Sequence, residues 1–440
     1  MTTTRPVVPH KVRCLERAPL RSISLTFFAF LLGTFVMSSA NAGGLYVNEF
    51  STTSQANAGA GRGAWSPDAS VALHNPASMT QLDDHGFASG FSLASGTVHF
   101  DATSTSPSGT GNGGDQAGIG PIASFSYVHK ISDRVRFGLS FYSISGSILD
   151  PSNDWAGRFE LTELSLLTIS ITPTLAIRLT DWLSIGGGPI ATYGALNWDL
   201  NVAFPAVPAG SESTIRLNDL DDWQAAGRVG ILLHPNENFA LSVYYNSRTA
   251  FELDGRIDGP AGVSRNLNVD LPLARFVEVS AYWQATEELA LLATFNWEDW
   301  SDADDLELTL GGIATSGTTG FEDTYKFGIG ANYQIGANWL LQTGVMYDTS
   351  ALKNKNRVTA LPIDDQIRVA IGAQHKWNES LTLGLSLVYI NLGQGEVRQA
   401  TVRGDYERNH AVVVGLTLAF NQLPWSGGLT LADRTNSAGS

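Results

Sequence analysis

Cysteine and charged residues are scarce in this chain. The single cysteine among 440 residues is Cys14, so a mature chain without its N-terminal end would have no disulfide, cysteine metal site or thiol nucleophile. Charged residues make up 16% of the sequence, against about 25% in a typical soluble domain. The formal net charge is −15, which argues against nucleic acid as a partner, because phosphate contacts need basic side chains.

Long apolar runs are also missing, apart from one near the N-terminus. Ile23 to Met37 is apolar, and Ala40-Asn41-Ala42 has the small-x-small pattern of a cleavage site. Five basic residues come first, namely Arg5, Lys11, Arg13, Arg17 and Arg21. This order predicts a signal peptide at residues 1–42. A transmembrane anchor is the alternative, although it needs about 20 apolar residues and this run is shorter.

In place of apolar runs, apolar and polar residues alternate over most of the chain. From Leu381 to Tyr389 the odd positions hold Leu or Tyr and the even positions are mostly small or polar, so a strand here has one apolar face. Short turns and long loops alternate between such segments. We count fourteen of them, at roughly 86–100, 117–131, 134–145, 161–179, 182–200, 214–234, 238–256, 267–284, 287–300, 321–335, 338–349, 365–377, 380–392 and 404–420.

This pattern predicts an all-β fold, a 14-stranded antiparallel transmembrane β-barrel in a Gram-negative outer membrane. Closure of the sheet satisfies every backbone hydrogen bond within lipid. We expect the barrel at residues 85–420 and a polar C-terminal tail at 421–440. Residues 43–84 are rich in Ala, Gly, Ser and Asn without alternation, so they are expected to form an N-terminal hatch, or plug, inside the lumen. A soluble β-sandwich or propeller is the alternative.

Aromatic residues lie near the ends of the predicted strands. Such residues form interfacial girdles on both rims of outer-membrane barrels, and we expect two girdles here. The residues are Trp182, Phe239, Trp339 and Trp377 beside short turns, and Trp155, Trp198, Trp297 and Trp300 beside long loops.

Motifs for catalysis or cofactor binding are weak. Gly109–Gly114 matches G-x-G-x-x-G but lies in a Ser/Gly/Asn loop, without the strand and helix that a dinucleotide site needs. The histidines show no metal spacing and there is no G-x-S-x-G. We therefore expect no enzyme, no cofactor and no metal site. An acidic loop is either a solvated surface or a place where divalent cations bridge to lipopolysaccharide; it contains Asp302, Asp304, Asp305 and Glu307.

Several short motifs, in order along the chain, resemble the FadL/TodX family of outer-membrane transporters for hydrophobic compounds. Individually they are weak, but they span the whole mature chain to Phe420. They are Gly43–Ser51, Asn75-Pro76-Ala77, Trp155–Gly157, Trp223 with Gly230–Leu232, Leu271-Pro272 with Glu278–Ser280, Gly320–Tyr325 and Leu361–Arg368.

The resemblance implies a passive route for fatty acids, aromatic hydrocarbons or alkanes. Extracellular loops capture the ligand, an inner pocket holds it, and a kink in the third strand releases it sideways into the membrane. Carried over by position, the hatch motif is Asn75, Pro76 and Ala77, and the lateral-gate kink is Ser145, Gly146 and Ser147. Glycine suits a kink because it weakens strand pairing. The capture loop holds Val202, Ala203, Phe204, Pro205 and Val207, an apolar patch.

Five charged residues fall on the inward face by alternation: Arg228, Arg248, Glu278, Lys326 and Arg368. They are either partners of the hatch or contacts for a ligand head group. The stretches Ile190–Val202 and Leu306–Glu322, which match head-group regions of fatty-acid carriers, contain no Lys or Arg. Since burying an unpaired carboxylate is costly, this favours neutral ligands.

Other functions remain open at this level. A lipid-acting outer-membrane enzyme, an adhesin or phage receptor carried by the long loops, and a general porin would share the barrel. Expected partners are a hydrophobic small molecule, outer-membrane lipid with lipopolysaccharide, and the barrel-assembly machinery. The family likeness implies a monomer.

Overall fold

A computed structural model describes Tyr46, Glu49 and most of the chain from residue 51 to residue 421. The described ranges are 51–103, 110–143, 146–203, 212–259, 262–303, 305–310, 313–318, 320–353 and 357–421. The predicted signal peptide (residues 1–42) and nearly all of the predicted tail (421–440) lie outside them. So do five residues singled out from the sequence, which are Ser145, Phe204, Pro205, Val207 and Asp304.

The fold is a closed antiparallel barrel of fourteen strands, as predicted. Each strand pairs with the next, and β14 pairs with β1 from Gly86↔Asn421 to Ala102↔Gly404. The strands are β1 (Gly86–Ala102), β2 (Ile119–Lys130), β3 (Val135–Tyr142 and Gly146–Leu149), β4 (Glu163–Arg178), β5 (Leu183–Ala203), β6 (Glu212–Asn236), β7 (Phe239–Asn246 and Thr249–Asp258), β8 (Ser264–Leu273 and Arg275–Gln284), β9 (Leu289–Asp299 and Asp305–Leu310), β10 (Ile313–Thr318 and Thr324–Ile335), β11 (Trp339–Asp348), β12 (Gln366–Lys376), β13 (Leu381–Asn391 and Gly395–Arg398) and β14 (Arg403–Asn421).

Side chains alternate between an apolar outer face and a mixed inner face. On β12, Ile367, Val369 and Ile371 are exposed, whereas Arg368 and Ala370 between them are buried. Trp182, Trp283, Trp339 and Trp377 are also exposed, close to the short turns. The outer face therefore suits lipid, with an aromatic girdle on the short-turn rim.

The prediction that Trp155 and Trp300 belong to a girdle on the long-loop rim is wrong, and Trp198 and Trp297 are half-buried. Trp155 and Trp300 are completely buried, because each belongs to a loop that folds inward rather than to an outward strand position. The exposed aromatic side chains near that rim, in the described part of the chain, include Trp223, Tyr325, Tyr347 and Tyr389.

Strands extend into segments that we predicted as loops. The predicted loop 301–320 contains a hairpin, Asp305–Leu310 with Ile313–Thr318, and the predicted loops 201–213 and 257–266 are also partly strand. Ile313–Thr318 has no apolar alternation, whereas Asp305–Leu310 alternates leucine with polar residues, a strand signal that the loop assignment overlooked. No helix in the described part of the chain is long and apolar enough to cross a membrane.

The N-terminal hatch fills the lumen on the short-turn side. It contains the helix Thr52–Gln55 and the 3-10 helices Ala69–Leu73 and Pro76–Gln81; another 3-10 helix, Ser301–Ala303, lies in a loop. Hatch and wall approach closely where the wall has glycine. A Cβ at Gly344 would lie 2.9 Å from the Cα of Asn57 in the hatch, so the small residues of both parts permit this packing.

Candidate ligand passage through the barrel

The Asn75-Pro76-Ala77 motif anchors the hatch to strands β5 and β6. The Asn75 side chain accepts a hydrogen bond from the Ala77 amide at 3.0 Å, which caps the 3-10 helix, and donates another to the Ile231 carbonyl at 3.0 Å. Pro76 and Ala77 pack on Gly186, where a Cβ would lie 2.6 Å from the Ala77 nitrogen. The motif thus caps the 3-10 helix and packs the hatch against the wall.

Buried ion pairs also connect the hatch to the wall. Arg62 of the hatch donates through Nε to Glu278 Oε2 of β8 at 2.7 Å. Arg368 of β12 donates through Nε to Glu49 Oε1 of the hatch at 2.9 Å and through Nη1 to Asp348 Oδ2 at 3.1 Å. The geometry gives Glu278 and Arg368 the role of hatch partners.

The other three predicted charged residues have different surroundings. Lys326 is buried within β10 and pairs with Glu298 at 2.7 Å and with Asp348 at 3.5 Å. Arg248 lies at the interruption of β7 and its half-exposed side chain reaches Asp302 at 3.5 Å. Arg248 is therefore apart from the lumen cluster.

Arg228 differs because it has only neutral partners among the described residues. Its guanidinium is buried and donates to the carbonyls of Ala72 and Leu73 at 3.2 and 3.0 Å. It also donates to the hydroxyls of Tyr142 and Tyr244, at 3.1 and 2.5 Å. A buried cation needs compensation, and here hatch carbonyls and two phenols provide it. The sequence did not identify Tyr142 and Tyr244 as partners of Arg228, although Tyr142 is the last strand residue before the predicted kink.

Above the hatch, the lumen contains a large apolar cluster that we call the outer compartment. It joins inward residues of the strands to residues of the long loops, and Tyr46 of the hatch reaches it from below. Among its members are Tyr46, Phe100, Leu149, Trp155, Leu164, Leu166, Phe251, Trp300 and Tyr406. This concentration of apolar and aromatic side chains is typical of a site for a hydrophobic ligand.

A row of aromatic rings leads from the outer compartment toward Arg228. Trp300 lies 5.3 Å from Tyr46, Tyr46 lies 5.6 Å from Phe276, and Phe276 lies 5.4 Å from Tyr244, between ring centroids. The Tyr244 hydroxyl then accepts from Arg228. One end of this row is apolar and the other end carries a positive charge.

The wall is interrupted between β2 and β3. Their ladder ends at Ser124↔Tyr142, and the next pairing toward the long loops, among the described residues, is the bridge Ala117↔Leu149. Between these levels the described residues Gly146 to Ile148 pair only with β4. We call this interruption the wall window. Of the predicted kink residues, Gly146 and Ser147 lie in it, and Ser145 lies outside the described residues.

The predicted capture loop is described only at its start. Val202 is half-buried near the end of β5 and pairs with Ser213. In the acidic loop, Asp302 contacts Arg248. Among the described residues, no group of three or more His, Cys, Asp or Glu side chains could hold a metal ion.

A closed barrel with an apolar outer belt and an interior hatch is the architecture of an outer-membrane protein. The family profile described as "Outer membrane protein transport protein (OMPP1/FadL/TodX)" matches residues 33–421. The chain belongs to this family. It is therefore an outer-membrane transport protein and not an enzyme.

Relatives and solved structures agree with this membership. The chain is 24% identical over 406 residues to the long-chain fatty acid transport protein of Escherichia coli strain K12, covering 81% of this chain and 89% of that protein. It is 25% identical over 434 residues to outer membrane protein P1 of Haemophilus influenzae, covering 87% and 92%. Its fold is similar to that of a Pseudomonas aeruginosa FadL homologue, with TM-score 0.81, 19% identity, and 86% and 100% coverage. The Pseudomonas putida toluene transporter TodX has TM-score 0.67, 15% identity, and 84% and 98% coverage.

Proposed function

We propose that this protein carries small hydrophobic molecules passively from the cell surface into the outer membrane. Long loops capture the ligand, the outer compartment holds it, and the wall window releases it sideways into lipid. The observation that carries the proposal is that Leu149 belongs both to the outer compartment and to the upper edge of the window. A ligand held in the compartment thus lies beside the interruption in the wall.

The surroundings of the window fit apolar cargo. Ile119, Phe91 and Leu93 are exposed on the outer face next to it, and on the inside Leu164 and Leu166 of β4 continue the compartment. Burial of apolar surface contributes about 25 cal/mol per Å², whether the ligand lies in the compartment or in lipid. The passage therefore needs no energy source, because the ligand stays desolvated throughout.

The ligand class depends on Arg228. Lys326 and Arg368 are already paired with carboxylates, which supports the neutral ligands favoured by the sequence. Arg228 has only neutral partners among the described residues, so it is the group suited to a carboxylate at the end of the aromatic row. The relatives' names include both a long-chain fatty acid transporter and a toluene transporter, and both ligand classes deserve the same assay.

Binding is tested by quenching of tryptophan fluorescence in the refolded protein with toluene and with oleate. Trp155 and Trp300 lie in the outer compartment and report occupancy. We expect both ligands to quench. Arg228→Gln should weaken oleate binding by about ten- to a hundredfold and leave toluene binding unchanged, since an ionic hydrogen bond is worth about 1.5–3 kcal/mol. Equal loss for both ligands would refute the head-group role, and absence of quenching by either would refute the compartment as a binding site.

Lateral release is tested by filling the window. Gly146→Trp places a large side chain in it. Gly227→Trp is the matched control, because Gly227 lies on β6 away from the window and a Cβ there meets nothing within 4 Å. We expect Gly146→Trp to bind ligand normally but to slow its transfer into lipid vesicles, and the control to behave as wild type. Unchanged transfer by Gly146→Trp would contradict release through the window.

The remaining expectations are proposals of the same kind. We propose a monomer assembled by the barrel-assembly machinery and surrounded by outer-membrane lipid and lipopolysaccharide, with a cleaved signal peptide at residues 1–42. A receptor or adhesin role for the long loops would be favoured by loop deletions that abolish attachment and spare uptake.

A further inference from the structure

Three neighbouring strands carry a row of buried hydroxyls that we call the hydroxyl seam. Ser126, Ser140 and Thr172 are opposite one another on β2, β3 and β4. All three are completely buried, and none of their hydroxyls has a hydrogen-bond partner among the described residues. Buried hydroxyls in proteins are nearly always bonded to protein or to ordered water, so three adjacent ones without protein partners indicate a hydrated interior.

At several other places the wall uses such groups to hold the hatch, while isolated wall hydroxyls such as those of Ser242 and Ser386 also have no hydrogen-bond partner among the described residues. The Thr294 hydroxyl of β9 accepts from the Gly61 amide at 2.9 Å. Ser184 of β5 accepts from the Thr80 hydroxyl at 2.8 Å, and Ser92 of β1 donates to Gln55 at 3.0 Å. At the seam, the facing 3-10 helix Ala69–Leu73 presents mainly small apolar side chains. Hatch and wall are in contact there without being hydrogen-bonded through these side chains.

The two ends of the seam have different chemistry. At the upper end, Ser124↔Tyr142 is the last pair before the wall window, and Arg228 Nε has no partner among the described residues. At the lower end, Met79 of the hatch fits under Gly138 and lies 3.9 Å from the Thr174 hydroxyl, between sulfur and oxygen. Methionine is the most adaptable apolar side chain, so Met79 closes the seam with a group that can move.

We propose that the hydroxyl seam is a water-filled side passage between the lumen and the periplasm, with Met79 as its gate. Ordered water satisfies Ser126, Ser140 and Thr172, as expected for a polar site lined by several hydrogen-bonding groups. Water from the passage fills the space that a departing hydrophobic ligand leaves. This polar route is separate from the apolar route through the wall window.

Cysteine labelling tests the passage in the full chain with Cys14→Ser as background. Ser140→Cys is compared with Ser280→Cys, because Ser280 is equally buried but its hydroxyl is bonded to Glu278 and Thr294. A small water-soluble methanethiosulfonate should modify the cysteine at 140 about tenfold faster, since access to a buried group follows the frequency of local opening or hydration. Equally slow modification at both positions would overturn the proposal.

Ion conductance in planar bilayers provides a second test, whose first variant changes Met79 and none of the three seam hydroxyls. Met79→Ala should raise the conductance, and Met346→Ala should not, although Met346 is just as buried and packs against the hatch at Gly59. Adding Ser140→Leu to Met79→Ala should abolish the increase. No increase in conductance would overturn the role of Met79 as a gate. An equal increase for both methionine variants would overturn it too, because it would indicate only a loosened hatch.

Discussion

The contact between Gly230 and Asn75 provides a sharp test of how the hatch is held. A methyl group at position 230 would lie 2.8 Å from Asn75 Cγ and closer still to its Oδ1. In Gly230→Ala the Asn75 side chain must therefore leave its position. Its two hydrogen bonds, to the Ala77 amide and the Ile231 carbonyl, would be lost with it.

The expected cost follows from these contacts. Each lost hydrogen bond is worth about 1 kcal/mol, and forcing an extra methyl into a packed interface costs about 1–3 kcal/mol. Hatch docking should weaken by roughly 3–5 kcal/mol in total, which raises the frequency of hatch opening by at least about a hundredfold. The barrel itself should persist, because its ladders do not depend on Asn75.

Limited proteolysis of the refolded barrel measures hatch opening. We expect Gly230→Ala to keep the heat-modifiable mobility of a folded barrel but to lose the hatch rapidly to protease. Gly227→Ala, three residues away on β6 and with nothing within 4 Å of its Cβ, should match wild type. If Gly230→Ala and Gly227→Ala were equally protected, the motif would not anchor the hatch and the reasoning would be refuted.

Three further predictions concern buried groups. Burial lowers the pKa of His74 in the hatch well below its ordinary value of 6.5, with Arg62 and Arg228 adding to the effect. Hatch docking should therefore be complete above pH 6.5 and weaken as the pH falls below it, by up to about 1.4 kcal/mol per pH unit. His74→Gln should flatten the dependence of protease sensitivity on pH. Arg368→Leu removes the cation that pairs with Glu49 and one of the two cations that pair with Asp348, Lys326 being the other. It should destabilise the protein by about 3–5 kcal/mol in denaturant titrations, with no effect indicating that the pairs are not formed. Trp300→Ala should weaken the binding of toluene and of oleate alike, measured by quenching of the remaining tryptophans, because Trp300 lies where the aromatic row meets the outer compartment; unchanged affinities would place the ligand elsewhere.

Alternation predicted the barrel and the facing of its side chains because the strand period is two residues. Arg228, Glu278, Lys326 and Arg368 are accordingly inside. Arg248 is not among them, because β7 is interrupted after Asn246 and resumes at Thr249, and an interruption changes which face the following residue occupies.

Pairings inside the barrel were beyond the reach of the sequence. The hatch has no period, so nothing indicated that Arg62 meets Glu278, 216 residues later, or that Glu49 meets Arg368, 319 residues later. The same lack of local signal explains Trp155 and Trp300, whose position depends on how the loops fold inward. Alternation reports the face of a strand, but not which group lies opposite across the lumen.

Pairing of the first strand with the last has a consequence for the order of assembly. The chain can close only after β14 has been made, since Phe87 pairs with Phe420 and Gly86 with Asn421. The hatch directly precedes β1 in the chain, so it is attached beside the last strand pairing to form. Once β1 and β14 are paired, the hatch is enclosed by a continuous wall and tethered at its C-terminal end. After closure the hatch can leave or re-enter the lumen only through an open end of the barrel, so the final ladder is the step that confines its movement to that path.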